Sequence, residues 1–229
     1  MIHQATTQLI RFFGKSLAAL ALAGASVLPA MAEEDAPQPP MNSWALIEAL
    51  QGGGHVLYIR HERTEVPSRA DDYSRPASDC RAQRNLSVSG VAAAYETGMV
   101  LRAVDIPISR VIASPMCRGT ETARYMFGVG YELDTRLMHH DPSKNSSRNM
   151  DTAVAEAQAL LAELAPIMGD TNIALVGHGG TIRRVTGLSL TEGEIAVLRL
   201  SETGEVTALG QLTGSAMGFY ARWQDAQDQ

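Results

Sequence analysis

Three short apolar runs rich in strand-forming residues punctuate the chain: residues 55–59 (HVLYI), 110–113 (RVIA) and 172–176 (NIALV). The first follows three consecutive glycines, and bounded runs of this length read as buried strands. Between them lie segments with helical spacing, over 87–104, 118–127 and 151–168. The last carries Val154, Ala157, Leu160, Leu161 and Leu164 on one face, with Asp151 or Thr152 as its N-cap. Glycines after the third run lead into a helix expected over 181–186. Residues 194–200 and 206–211, separated by Glu202-Thr203-Gly204, read as a terminal hairpin. Strand and helix alternating along one domain predict an α/β sandwich, with its site at the carboxyl ends of the strands.

Each of the three runs leads into a basic or imidazole residue. The first ends in Tyr58-Ile59-Arg60-His61, the second leads through Ser114-Pro115-Met116-Cys117 to Arg118, and the third ends in Val176-Gly177-His178. If these strands are parallel neighbours, two guanidinium groups and two imidazoles converge on one sheet edge. Charge makes that clustering informative. The chain carries −6, and residues 1–32 hold two cations, Arg11 and Lys15, with no acid. The remainder therefore has 17 basic against 25 acidic residues, a net −8. Such a domain is a poor partner for nucleic acid or an anionic membrane. A local cationic pocket in it points to a small anion, and arginine offers planar, paired donors matched to phosphate oxygens.

The N-terminus reads as a secretory signal peptide over 1–32. Arg11 and Lys15 precede an uncharged Ala- and Leu-rich run over 16–28, and Ala30-Met31-Ala32 supplies a small-x-small cleavage pattern. That run is too short to span a bilayer about 30 Å thick; an uncleaved anchor is the alternative reading. The mature protein is expected to be exported, without stable membrane insertion, and periplasmic if the source is Gram-negative. Residues 33–43 are acidic and Pro-rich and read as a linker, 44–223 as one domain, and 224–229 as a tail. Export leaves two readings of the only cysteines, Cys80 and Cys117. They form a disulfide closing a 37-residue loop, or they are two buried thiols.

The motifs at the strand ends resemble those of the histidine phosphatase (phosphoglycerate mutase-like) superfamily. Arg60-His61-Glu62-Arg63-Thr64 resembles the RHGxT signature, and the segment from Ser114 through Arg118 to Ala123 is similar to SPLxRAxQTA. The run from Val176 through His178 to Ile182 resembles the second histidine motif. Gln83-Arg84-Asn85-Leu86-Ser87 with Gly90 matches the helix-opening segment between the first two. Together they span about 55–200 in the family's order. The resemblance implies a three-layer α/β/α sandwich with a mostly parallel central sheet. It implies His61 as nucleophile, forming a phosphohistidine, with Arg60, Arg118 and His178 binding the phosphoryl oxygens. No metal and no other cofactor is implied, because the arginines supply the positive charge.

Two positions depart from the family pattern. Glu62 stands where a small residue usually follows the nucleophile; turned inward it would repel an anionic substrate, turned outward it would not. The segment Leu137-Met138-His139 places His139 where the family often has a glutamate acid. His139 is the favoured candidate to protonate the leaving oxygen, with His140 and Asp141 as alternatives and a surface turn as the bland reading. Arg63, Arg69, Arg75 and Arg81 follow the first motif; they either select a second anionic group or pair with Asp71, Asp72 and Asp79.

Other chemistries fit less well. Cys117 lacks the C-x5-R spacing of cysteine phosphatases, and Gly52-Gly53-Gly54 lacks the G-K-[ST] of a P-loop. There is no HExxH and no zinc-type spacing of Cys and His. The expected function is metal-independent hydrolysis of a small phosphorylated or phosphoglycolipid substrate through a phosphohistidine. The alternative is a non-catalytic phosphate-ligand-binding protein on the same scaffold. Oligomeric state is not legible.

Overall fold

Among the described residues, six strands form one sheet in the order β3-β2-β4-β1-β5-β6. In chain order these are β1 (Val56–Arg60), β2 (Ile108–Ala113), β3 (Glu132–Leu133), β4 (Asn172–Gly177), β5 (Ile195–Leu200) and β6 (Val206–Leu212). Strands β3, β2, β4 and β1 run parallel, while β5 pairs antiparallel with both β1 and β6. The sheet is mixed and mostly parallel, as expected. This computed structural model describes residues 41–66, 70–141 and 148–227. The expected signal peptide, most of the linker, Arg69 and the last two tail residues lie outside the described residues.

The strands read as unbroken apolar runs because both sheet faces are covered. Leu57 and Ile59 of β1 turn to one face, with Val111, Ala174, Val176 and Val197. That face packs against α1 (Ser43–Gln51), α2 (Val88–Ala103), α3 (Cys117–Phe127) and α6 (Gly214–Gln227). Val56 and Tyr58 turn to the other face, with Ile112, Ile173, Leu175 and Leu198, beneath α4 (Met150–Leu164) and α5 (Gly179–Thr186). Burying each large aliphatic side chain stabilises the fold by about 1.5–3 kcal/mol. The result is a three-layer α/β/α sandwich.

Capping sets several helix starts. Ser87 caps α2 by accepting from the Gly90 amide, and its own amide and hydroxyl donate to the Arg63 carbonyl. A Cβ at Gly90 would overlap that carbonyl, so the small residue lets the stretch after β1 lie directly on the start of α2. Helix α4 starts earlier than the spacing predicts. Asn149, not Asp151 or Thr152, is its cap, because the Asn149 side-chain oxygen accepts from the Thr152 amide at 3.0 Å.

Helices α1 and α6 have no counterpart in the sequence reading. α1 starts within the Pro-rich stretch, capped by Asn42, and buries Leu46, Ile47 and Leu50. α6 continues to Gln227 and buries Met217 and Tyr220. Trp44 of α1 packs edge-on against Tyr220 and Trp223 of α6, with ring centroids 5.0 and 4.5 Å apart. Cys80 and Cys117 form a disulfide, their Cα atoms 5.6 Å apart, which settles the open reading of the two cysteines. No helix among the described residues is long and apolar enough to cross a membrane.

Candidate active site

β4 lies between β1 and β2, and its parallel pairing brings all three carboxyl ends to one edge. Register does the positioning. The His61 amide donates to the Gly177 carbonyl at 3.0 Å, and the Ser114 amide to the Val176 carbonyl at 2.8 Å. His61, Ser114 and His178 are therefore neighbours. Arg118, in the first turn of α3, has 0% of its surface exposed, and His61 and His178 have 1% each. A charged side chain that deeply buried needs partners.

A hydrogen bond to a backbone carbonyl fixes the tautomer of His61. His61 Nδ1 lies 2.9 Å from the Glu62 carbonyl oxygen, which can only accept, so Nδ1 carries the proton and Nε2 keeps its lone pair. Ser114 Oγ accepts from the Met116 amide and lies 3.0 Å from His178 Nε2. Burial, then the guanidinium of Arg118, holds both imidazoles well below their usual range. Both are neutral at physiological pH. The rings meet edge to face, 5.3 Å apart.

A tyrosine beneath the sheet edge anchors His178. The Tyr58 hydroxyl donates to the His178 carbonyl at 3.2 Å and accepts from the His178 amide at 2.9 Å. A Cβ on residue 177 would overlap that hydroxyl, which explains Gly177 in the third motif. Burial pushes the phenol of Tyr58 up, so it stays protonated.

Several members of the site were not singled out in the sequence. Asp71 forms a bidentate pair with Arg118, at 2.9 and 3.0 Å, and also accepts from the Arg84 amide. Burial opposes ionisation of Asp71, but the Arg84 amide and the Arg118 guanidinium outweigh it and hold its pKa low. Among the described residues Asp71 thus pairs with Arg118 and not with a loop arginine, while Arg75 and Arg81 pair with Asp79, as the pairing reading expects. Glu192, in the loop before β5, accepts from the Thr64 amide and hydroxyl. Its Oε1 stands 3.7 Å from Arg84, 3.8 Å from Arg60 and 4.0 Å from His61 Nδ1. Arg84 lay in the quoted helix-opening segment, whereas Asp71 and Glu192 sit in loops with no local signature.

His139 is brought in, edge-on to His178 with centroids 5.3 Å apart. It is no surface turn. Its Nδ1 lies 2.6 Å from the His140 carbonyl and 2.9 Å from the Tyr73 hydroxyl. Burial, then the neighbouring His140, lowers its pKa to about 4. His140 stacks on His139 and lies against Gly180. The Asp141 amide donates to the Arg148 carbonyl.

Glu62 takes neither orientation considered from sequence. Its carboxylate is buried, lies against Gly193 and accepts from the Arg63 amide. It lines a cavity of about 570 Å³ with Glu96 and Thr97 of α2 and Arg222 of α6. Burial raises its pKa.

Buried nitrogens without a partner face the site. Arg60 Nε, Arg118 Nε and His178 Nδ1 are buried and have no hydrogen-bond partner among the described residues. The two guanidinium N–H groups among them, beside neutral imidazoles, can bind an oxyanion. Among the described residues, no group of three or more His, Cys, Asp or Glu is placed to hold a metal ion.

No family model and no curated protein matches the chain in sequence. Solved structures do match. An Entamoeba histolytica phosphoserine phosphatase mutant in complex with phosphoserine is 13% identical, with a TM-score of 0.56 over 71% of this chain and 98% of that one. A mycobacterial glucosyl-3-phosphoglycerate phosphatase in complex with inorganic phosphate is 18% identical, with a TM-score of 0.52 over 70% and 98%. The protein histidine phosphatase SixA complexed with tungstate is 19% identical, with a TM-score of 0.48 over 70% and 97%. The likeness shows the fold alone, a phosphoglycerate mutase-like α/β fold shared with the first two of these phosphatases.

Proposed function

We propose that this chain is a metal-independent phosphomonoester hydrolase that works through a phosphohistidine at His61. The observation carrying this reading is the locked tautomer. Nδ1 is committed to the Glu62 carbonyl, so the neutral ring offers Nε2 as a nucleophile beside the unpartnered guanidinium N–H groups of Arg60 and Arg118 and the imidazole of His178. Nε2 forms a bond to phosphorus while the bond to the ester oxygen breaks, and that oxygen leaves with the bonding pair. Arg60, Arg118 and His178 stabilise the non-bridging oxygens through the displacement. Water then hydrolyses the N–P bond, releasing phosphate and restoring the neutral imidazole.

His139 is our candidate to protonate the leaving oxygen, since its ring lies against His178. With its pKa at about 4, it is mostly neutral at pH 7. Esters with good leaving groups should therefore be cleaved fastest at neutral pH, and alkyl phosphates should gain as pH falls. The substrate is a small or envelope-derived phosphate ester; the phosphorylated small-molecule substrates named for the fold relatives are consistent with that class.

The test is labelling with a small phosphorylated substrate, quenched in acid or in alkali, beside a His61→Ala variant. A label that is alkali-stable, acid-labile and absent from the variant is expected. Phosphate binding without label or turnover would replace this reading with a phosphate-binding protein.

A further inference from the structure

Attack on phosphorus through Nε2, with Nδ1 keeping its proton, changes the charge of the nucleophile. A neutral imidazole becomes an N-phosphorylated ring bearing one positive charge, and that charge must be balanced in a buried site. Burial and the guanidinium groups of Arg118, Arg60 and Arg84 all disfavour a cation there. One carboxylate faces the proton-bearing side of the ring. Glu192 Oε1 is 4.0 Å from His61 Nδ1, too long for a hydrogen bond but close enough for strong attraction in a partly desolvated setting.

Glu192 is held there by several contacts. The Thr64 hydroxyl donates to Oε1 at 3.1 Å, and the Thr64 amide to Oε2 at 3.3 Å. Arg84 and Arg60 stand 3.7 and 3.8 Å from Oε1. The backbone fixes the loop from both sides. The Gly193 amide donates to the Arg60 and His61 carbonyls, and the Arg60 amide donates to the Glu194 carbonyl. The carboxylate thus stands opposite Arg60 and Arg84 without being fully buried, its side chain 21% exposed.

We infer that Glu192 is a positioning residue whose carboxylate stabilises the positive charge arising on His61 during phosphorylation and also offsets Arg60 and Arg84 before substrate binds. This rests on the phosphohistidine reading proposed above. Two opposite effects follow. Removing the charge slows transfer to His61, because the cationic ring loses its counterion. It also strengthens binding of an oxyanion in the resting site, because the three arginines then lose the carboxylate that stands nearest Arg60 and Arg84.

The experiment compares wild type with Glu192→Gln and Glu192→Asp by quenched-flow phosphorylation of His61 from p-nitrophenyl phosphate, with inorganic phosphate affinity measured by inhibition. Gln keeps an oxygen for Thr64 but no charge; Asp keeps the charge on a shorter arm. The Gln variant should phosphorylate at least about tenfold more slowly and bind inorganic phosphate several-fold more tightly. The Asp variant should fall between Gln and wild type in both readouts. If Gln weakens both, Glu192 only supports the loop; if it changes neither, or only one, the charge role is equally overturned. The wild-type arm separates the two proposals: a wild type that takes no label refutes the phosphohistidine itself, whatever the variants do.

Discussion

Residue 177 shows how one missing side chain organises the site. The Tyr58 hydroxyl occupies the space of a Cβ there and holds both backbone groups of His178. Gly177 has no left-handed backbone, so alanine fails by overlap and not by torsion. Gly177→Ala should lower stability by about 1–3 kcal/mol, read as a fall in Tm. The same substitution in a Tyr58→Phe background should cost less, since the closest overlapping atom is gone. Equal costs in both backgrounds would detach the glycine from the tyrosine. The third motif was legible because its glycines and histidine stand together in sequence; the reason for Gly177 was not, because Tyr58 is 119 residues away in the chain.

At the scale of elements, a single amide ties together the ends opposite the site. Asn172, fully buried at the start of β4, donates to the Leu50 and Pro107 carbonyls and accepts from the His55 amide. It thereby joins the end of α1 and the approaches to β1 and β2. Asn172→Ala would take the acceptor from the His55 amide and the side-chain donor from the Leu50 and Pro107 carbonyls, which keep backbone donors, a loss of about 1–3 kcal/mol in chemical denaturation. A loss below about 0.5 kcal/mol would mean the strands carry the register alone. Most elements were legible because their periodicity is strong: β1, β2, β4, the terminal hairpin and α2 to α5 lie within a few residues of expectation. Helices α1 and α6 were not. α6 begins Gly-Ser-Ala-Met-Gly, poor in helix-forming signal, and its helicity depends on packing against α1 and α2. The loops bearing Asp71 and Glu192 were equally silent, since strand pairing and the Cys80–Cys117 bond, and no local pattern, bring them to the arginines.

Across the whole molecule, three buried imidazoles make stability depend on pH. His61, His139 and His178 all have pKa values below the ordinary 6.5. Between about pH 4 and 6.5 the unfolded chain binds protons at these positions that the folded chain refuses. Stability therefore rises with pH through that window and levels off above it. Each imidazole contributes a slope of about 1.4 kcal/mol per pH unit where only its unfolded form is protonated. Tm measured from pH 4 to 8 should climb steeply and then flatten near 6.5, with a shallower climb in His139→Phe. A Tm independent of pH across the window would contradict the buried, neutral site.

The strand order has a consequence for the sequence of folding events. β4 occupies the middle of the parallel sheet, yet its residues follow β1, β2 and β3 in the chain. Until it arrives, β1 and β2 share no ladder, since each pairs with β4 and not with the other. A growing chain thus holds β1 and β2 without a shared ladder, with the strand ends of the anion site not yet fixed in register. The Cys80–Cys117 bond encloses α2 and β2 and links the stretch after β1 to the start of α3. It can keep β1 and β2 within reach while the gap between them awaits its strand, which shortens the search that a non-local sheet imposes on its last partner.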